Sequence, residues 1–210
     1  MKTYPILFQR CLLMLGFKLV RLFEKFDVQY LTCGGTLLGQ IRGNALIKHD
    51  YDLDYEIPTC SRKALFDVVK FVKENPMYGL RVELRLPFMV KFVPLMAKPL
   101  AAIIEFDRPD VPNPTADVFF GEARPGGGQR LVGNVWKNWY YLPGEIHPIV
   151  KREFSGHLWD SPHNATSILR RYYGKDFMVP KFYPWPKNVP SDKCGQRSGG
   201  TSSRTMTKTR

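Results

Sequence analysis

The 210-residue sequence has no uninterrupted apolar stretch of the roughly 18 residues that a membrane-spanning helix needs. Its most apolar segment, residues 6–20, is interrupted by Gln9, Arg10 and Lys18. No small-residue cleavage site follows this segment, so it differs from a secretory signal peptide. The sequence therefore predicts no transmembrane segment, and neither a signal peptide nor an anchor is evident.

Cysteine is scarce, and its spacing does not suit a metal site. Cys11, Cys33, Cys60 and Cys194 contain no CxxC pair, and no histidine pair at zinc-finger spacing accompanies them. A structural zinc site is therefore not expected. The spacing favours no particular disulfide pairing, so free thiols are the simplest interpretation.

Acidic residues are outnumbered, but the basic excess lies outside the predicted core. The net charge is +12, of which residues 1–26 and residues 191–210 contribute +4 each. A nucleic-acid groove would instead concentrate Lys and Arg on the folded body, among aromatic residues that stack on bases. No nucleic-acid partner is therefore predicted.

The hydrophobic pattern predicts one domain over residues 1–190 and a disordered basic tail over residues 191–210. Apolar residues three and four apart predict an amphipathic helix packed on the core at 6–26, with a membrane-surface role for its basic face as the alternative. Two further helices are predicted. One runs from the N-cap Ser61 to Glu74, with an inner face of Leu65, Phe66, Val69 and Val72, and the other from Ser161-Pro162 to Gly174. The predicted strands are 28–32, 52–57, 80–86, 88–93, 101–106 and 117–120. This mixture predicts an α/β or α+β fold with one central β-sheet flanked by helices.

Three aspartates stand at alternate positions in the sequence: Asp50, Asp52 and Asp54. On a strand such residues point to the same face, where their charges repel one another unless a cation neutralises them. Carboxylate oxygens are the ligands that Mg²⁺ prefers, often with substrate phosphates completing its shell. The alternative is a solvated edge strand whose charges oppose aggregation.

A pair of glycines precedes these acids. Gly34 and Gly35 follow a predicted strand, and Thr36 is suited to open a helix. Glycine lets the backbone approach a phosphate closely, and the amides at a helix start attract anions. Arg42 has a fork of donors that suits another phosphate oxygen. Glycines followed by acids predict a site for a phosphate and a metal ion.

These motifs resemble the LicD family, which includes fukutin and fukutin-related protein. The resemblance runs in order through residues 20–185 and is carried by Gly34–Gly39, Arg42, Asp50–Asp54, Asp117–Phe119 and Ser167–Gly174 with Asp176 and Pro180. Two departures bear on the donor and acceptor more than on the metal site. Lys48-His49 replaces the usual Pro-Trp, and Phe120 replaces a usual Pro.

The resemblance implies a nucleotidyltransferase-like fold with a mixed sheet flanked by helices. It implies that Asp52 and Asp54 bind Mg²⁺ (or Mn²⁺) as a pair and that Asp117 is the third acid. Asp50 matches an acidic position beside the pair, and either Asp50 or His49 is a candidate general base. Gly34, Gly35, Thr36 and Arg42 are the expected substrate-binding residues.

Family members transfer a phospho-alcohol, such as phosphocholine or ribitol phosphate, from a CDP-activated donor to a sugar hydroxyl. The implied partners are therefore a CDP-activated alcohol donor and a glycan or glycoprotein acceptor, and eukaryotic relatives work in the Golgi lumen. Two alternatives stay open: a glycosyltransferase that uses a nucleotide sugar, and a non-catalytic relative that binds glycan or a partner protein. The paired glycines ahead of the acids argue against the first, and the intact acids argue against the second.

Overall fold

The computed structural model describes residues 4–180 except residue 86 and segments 96–112, 124–128 and 132–139, and the described residues belong to one compact unit. The predicted strand at 101–106, Cys194 and the predicted tail at 191–210 lie outside the described residues. Cys11, Cys33 and Cys60 are free thiols.

The described residues form helices, short 3₁₀ turns and strands in the following order. The helices are α1 (Ile6–Lys25), α2 (Gly34–Gly43), α3 (Arg62–Glu74) and α4 (Ala165–Tyr173), with 3₁₀ turns at Thr59–Ser61 and Pro76–Tyr78. The strands are β1 (Leu31–Thr32), β2 (Asp52–Ile57), β3 (Leu80–Arg85), β4 (Met89–Pro94), β5 (Thr115–Ala123), β6 (Gln129–Leu131), β7 (Tyr140–Tyr141), β8 (Val150–Phe154) and β9 (His157–Ser161).

Within the described residues, seven strands form one mixed sheet. Its main path runs β1-β2-β5-β4-β3, and β6 and β7 extend it from β5. β2 and β5 are parallel, whereas the other neighbouring pairs are antiparallel. β8 and β9 form a separate hairpin. The expected fold class, a mixed β-sheet flanked by helices, is confirmed.

One face of the sheet packs against α1 and α3. The odd positions of β2, Leu53, Tyr55 and Ile57, are fully buried in this core, and Leu12 and Leu19 of α1 meet them there. The alternation that predicted β2 therefore places its apolar residues toward the helices and turns its acids to the opposite face. The predicted helix at 6–26 is confirmed to within one residue.

The opposite face is covered near β1 by a second, smaller core. Leu31 of β1 pairs with Glu56 of β2, so it lies on the face that carries the acids. There it packs in a cluster with Leu37 of α2 and with Ile168 and Leu169 of α4. The region around β3, β4 and β5 on this face bears charged side chains instead.

Two details of α3 differ from the prediction. Ser61 precedes the helix but does not cap it, because its hydroxyl accepts a hydrogen bond from the Gln29 amide at 3.1 Å. Phe66, predicted on the inner face, is 39% exposed, and Val68 is buried. The buried stripe of α3 is therefore rotated slightly around the helix axis from its predicted position.

The C-terminal helix begins later than predicted. Ser161 belongs to β9, where it pairs with Val150, so it cannot cap a helix. Asn164 caps α4 instead, its side chain accepting the Ser167 amide hydrogen at 3.1 Å. The predicted end at Gly174 is confirmed.

In the parts of the chain that the structure describes, no helix combines the length and the apolar character needed to cross a bilayer.

Candidate active site

The acids of β2 meet a third carboxylate on the neighbouring strand. Asp54 and Asp117 lie directly opposite each other in the parallel pairing of β2 with β5, and Asp52 pairs with Thr115. Paired and alternate residues share one face of a sheet, so all three carboxylates stand on the face away from the α1–α3 core. Asp50, just before the strand, forms a side-chain hydrogen bond with Asp52. The register therefore brings together four acids, from residues 50–54 and residue 117.

The start of α2 points at this cluster. The Gly35 amide donates a 2.8 Å hydrogen bond to Asp54 Oδ2, and the Asp54 amide donates one of 2.8 Å to Thr36 Oγ1. Gly34 has a φ of 50°, a backbone conformation that glycine adopts without steric cost. The positive end of the helix dipole is thus held against a carboxylate.

Gly35 is the point of closest approach between α2 and the acids. A Cβ at this position would lie 2.2 Å from Asp50 Oδ2 and 3.4 Å from Asp54 Oδ2. Any side chain at residue 35 would therefore displace the Asp50 carboxylate. The glycine pair allows the helix start and the acids to share one small space.

The crowded carboxylates hold protons unusually tightly. Burial, together with the charges of Asp54, Asp50 and Asp117, raises the pKa of Asp52 to about 9. Burial and the charges of Asp50 and Asp117 raise the pKa of Asp54 to about 8, although the hydrogen bonds from the Gly35 and Thr36 backbone oppose the rise. Burial also raises the pKa of Asp50 and of Asp117. The surroundings therefore supply too little positive charge to keep all four carboxyls ionised at neutral pH.

Asp117 already has one cationic partner. Lys91 of β4 pairs with Asp117 in register, and its Nζ lies 2.9 Å from Asp117 Oδ1. The two side chains are only 14% and 11% exposed. The Lys91 ammonium and its hydrogen bond oppose the rise that burial causes in the pKa of Asp117.

The residues fit a divalent ion in their chemistry. Hard oxygen ligands and uncompensated negative charge are what Mg²⁺ or Mn²⁺ requires. In the described residues, however, no three His, Cys, Asp or Glu side chains are arranged as a ready-made metal site. Asp50 shares a side-chain hydrogen bond with Asp52, and Asp117 is ion-paired with Lys91. To hold one ion with Asp54, Asp52 and Asp117 would turn from these partners.

Arg42 and the glycine pair have protein partners in this structure. Arg42 Nε donates to the Phe177 carbonyl at 2.6 Å, and a terminal nitrogen donates to the Val179 carbonyl at 3.3 Å. The Gly35 amide is used by Asp54. Phosphate binding by Gly34, Gly35, Thr36 and Arg42 stays a prediction.

Two side chains near the acids were not among the expected site residues. One is Lys91. The other is Tyr173 at the end of α4, where burial and the charges of Asp54 and Asp50 raise the pKa of its hydroxyl. The sequence does place Lys91 on a predicted strand, but its pairing partner depends on a register that only the folded sheet defines.

The comparisons with known proteins find similar solved structures but no similar sequence family. No protein-family model matches the chain, and no curated protein matches it significantly. A solved structure of ANT(2'')-Ia in complex with adenylyl-2''-tobramycin has a TM-score of 0.43 at 12% identity, covering 71% of this chain and 67% of that chain. A solution structure of the antibiotic-resistance factor ANT(2'')-Ia has a TM-score of 0.47 at 12% identity, covering 73% and 66%.

A third similar structure is the lincosamide antibiotic adenylyltransferase LnuA, bound to lincomycin. It has a TM-score of 0.45 at 13% identity, covering 74% of this chain and 83% of that chain. Identities and TM-scores this low transfer no donor or acceptor from these structures to this chain.

Proposed function

We propose that this chain is a metal-dependent transferase that moves a phospho-alcohol, of the phosphocholine or ribitol phosphate type, from a CDP-activated donor to a glycan hydroxyl. The observation that carries the proposal is the in-register placement of Asp54 opposite Asp117, with Asp52 on the same face. The resemblance of the glycine and aspartate motifs to the LicD family supplies the class of donor and acceptor.

Asp52, Asp54 and Asp117 would hold Mg²⁺ or Mn²⁺ at the cluster. When bound, the ion neutralises charge on the donor pyrophosphate as the nucleoside monophosphate leaves. Asp52 and Asp54, whose raised pKa values reflect a lack of nearby positive charge, would therefore favour binding of a cation together with an anionic donor.

The acceptor oxygen forms a bond to the phosphorus that carries the alcohol, and the bond from that phosphorus to the CMP oxygen breaks. CMP leaves, and the proton of the acceptor hydroxyl passes to a base. Asp50 suits this role better than His49, because Asp50 lies against Gly35 and Asp52 whereas His49 is exposed. A carboxyl whose pKa is raised by burial is also a stronger base. Backbone amides at the start of α2 would help to hold the donor in line for attack.

The test is a thermal-shift panel of CDP-choline, CDP-ribitol, CDP-glycerol, CTP and UDP-sugars, each with and without Mg²⁺. A donor at about 100 times its dissociation constant stabilises the fold by about 2.7 kcal/mol. We expect a Mg²⁺-dependent shift with a CDP-alcohol, followed by CMP release when a glycan acceptor is added. A shift with UDP-sugars alone would indicate a glycosyltransferase, and no shift with any nucleotide would indicate a non-catalytic binding protein.

Asp54→Asn tests whether a shift belongs to the acid cluster. It removes one charge there, and the donor shift should disappear. Asp67→Asn removes a charge from the exposed side of α3 and should leave the shift unchanged.

A further inference from the structure

A row of charged side chains crosses four adjacent strands of the sheet. Glu83 of β3 pairs with Lys91 of β4, Lys91 pairs with Asp117 of β5, and Asp117 pairs with Asp54 of β2. Directly paired residues project from the same face, so the four side chains form one line that leads into the acid cluster. Lys91 is the cation in the middle of this line.

Lys91 is held mainly by Asp117. Its Nζ lies 2.9 Å from Asp117 Oδ1, while the separation to Thr115 Oγ1 is 3.5 Å, at the limit of a hydrogen bond. With both side chains largely buried, the pair sits where charges are weakly screened. A lysine ammonium is a compact charge with three donors on a flexible stem, so it can exchange one anionic partner for another nearby.

Building on the proposed function, we propose that Lys91 is the counter-ion of Asp117 in the metal-free protein and transfers to a phosphate of the donor when a divalent ion binds Asp117. Lys91 is thus both a competitor of the metal for Asp117 and a phosphate-binding residue. The ion pair that the ammonium forms with phosphate replaces the one it loses with the Asp117 carboxylate.

The charges of the site agree with this exchange. A divalent ion bound to Asp52, Asp54 and Asp117 favours their ionised forms, and the ion and the Lys91 ammonium together balance these three charges. Only Asp50 then remains as an uncompensated acid, so the donor pyrophosphate meets much less repulsion. Arg85, on the same face of β3 as Glu83 and 3.4 Å from its carboxylate, is a second positive charge close enough to act on Asp117. Lys91 and Arg85 thus give the β3–β4 side of the cluster the charge that an anionic donor needs.

The experiment measures metal and phosphate binding separately in the full chain. Binding of Mn²⁺ alone is followed by electron paramagnetic resonance of the free ion. Binding of inorganic pyrophosphate to the Mn²⁺-saturated protein is followed by calorimetry. The variants are Lys91→Met, which removes the charge, and Lys91→Arg, which keeps it.

We expect Lys91→Met to bind Mn²⁺ at least as tightly as the wild type, because Asp117 has lost its competitor. Its affinity for pyrophosphate should fall about tenfold or more, the effect of one charge-assisted hydrogen bond. Lys91→Arg should restore most of this affinity. If Lys91→Met does not fold because Asp117 is left unpaired, Lys91→Gln replaces it, since its amide still donates to Asp117, and the same changes are expected.

Lys151→Met is the matched control. Lys151 pairs in register with Asp160 on the β8–β9 hairpin, with Nζ 2.8 Å from Asp160 Oδ1, but its side chain is 52% exposed. Its replacement should change neither binding constant. A similar loss of pyrophosphate binding in this variant would overturn the assignment to Lys91.

Weaker Mn²⁺ binding in Lys91→Met, or unchanged pyrophosphate binding, would overturn the exchange while leaving the proposed function standing. A wild-type protein that does not bind Mn²⁺ would overturn both the proposed function and the exchange.

Discussion

Asp54 and Asp117 lie directly opposite each other on parallel strands, although the segment between them contains α3, β3 and β4. Their proximity results from the sheet register. The Gly35 amide at the start of α2 also donates a 2.8 Å hydrogen bond to Asp54 Oδ2. The backbone positions of these two acids are thus fixed by strand pairing. Such rigidity is what a site that orients charged groups requires.

Replacing Asp54 by Asn should separate stability from activity. The raised pKa of about 8 keeps Asp54 mostly protonated at neutral pH in the metal-free protein. Asn resembles that neutral form, so the melting temperature should stay the same, or rise at higher pH where the wild-type carboxyl would ionise. CMP release from the donor should be abolished, and Mn²⁺ affinity should fall by more than about tenfold, because the ion loses an anionic ligand. Calorimetry and a CMP-release assay check the two effects. A variant that melts earlier yet retains turnover would show that Asp54 is structural.

Gly35→Ala should disturb the acids more than the fold. The new Cβ would meet Asp50 Oδ2 at 2.2 Å, so the carboxylate must swing away. Turnover should fall about 100-fold, the cost of displacing a catalytic group by about 1 Å. The free energy of unfolding should change little, because Ala favours a helix over Gly by about 1 kcal/mol and offsets the local strain.

Gly43→Ala, at the other end of α2, is the control for that variant. A Cβ there would meet nothing within 4 Å. It should stabilise the protein by roughly 0.4–1 kcal/mol and leave turnover unchanged. Equal losses of activity in both glycine variants would argue that α2 as a whole, rather than Gly35, is sensitive to substitution.

Gly16→Ala should destabilise the main core. Here α1 crosses so close to its neighbours that a Cβ would lie 2.6 Å from Trp159 and 2.7 Å from Leu53 Cδ1. Overpacking of this kind costs about 1–3 kcal/mol, more than the gain in helix propensity. Urea denaturation measures the loss, and Met14→Ala at the 61% exposed Met14 should show little change. An unchanged midpoint for Gly16→Ala would mean that α1 packs less closely on β2 and β9.

Because Glu145 forms an ion pair with Arg171, the protein should lose stability in acid. Glu145 is only 4% exposed. Burial acts to raise its pKa, but the hydrogen bonds from Arg171 and Ser167 outweigh it and lower the pKa below the ordinary 4.5. Because the folded pKa is depressed, the contribution is complete above pH 4.5 and is lost as the pH falls through the folded value.

Glu145→Gln isolates this contribution. At neutral pH the free energy of unfolding of the variant should be about 1.5–3 kcal/mol lower than that of the wild type. This is the difference expected for hydrogen bonds to a charged group. The difference should shrink on acidification, since a protonated Glu resembles Gln. Melting curves across the pH range check this. If the difference in free energy of unfolding between variant and wild type stays constant with pH, the charge of Glu145 contributes nothing to stability.

The sequence predicts those elements whose pattern is local. The repeat of apolar residues in α1 and the alternation in β2 follow from burial of one face, and both elements lie where expected. The β8–β9 hairpin was missed, although Ser155 and Gly156 form a turn with positive φ values of 51° and 84° between its strands. Serine-glycine is a recognised turn signal, but the polar strands beside it have little hydrophobic pattern.

In the candidate site, too, the features with a local sequence pattern are predictable and those that depend on strand pairing are not. Asp50, Asp52 and Asp54 are visible as a local motif, and their position beside the glycine turn of α2 follows from chain proximity. Lys91 is not predictable, because its contact with Asp117 depends on which residues of β4 and β5 pair. Long-range register is set by packing of the whole sheet rather than by any short motif.

The odd and even positions of β2 have different roles in the fold. Leu53, Tyr55 and Ile57 belong to the core, while Asp52 and Asp54 belong to the acid cluster. A deletion or insertion of one residue at its start would exchange the two sets, placing carboxylates among apolar side chains and leaving leucine and tyrosine where the ion should bind. This strand can therefore vary in evolution by substitution but not in length, and its six residues should align without gaps in any working relative.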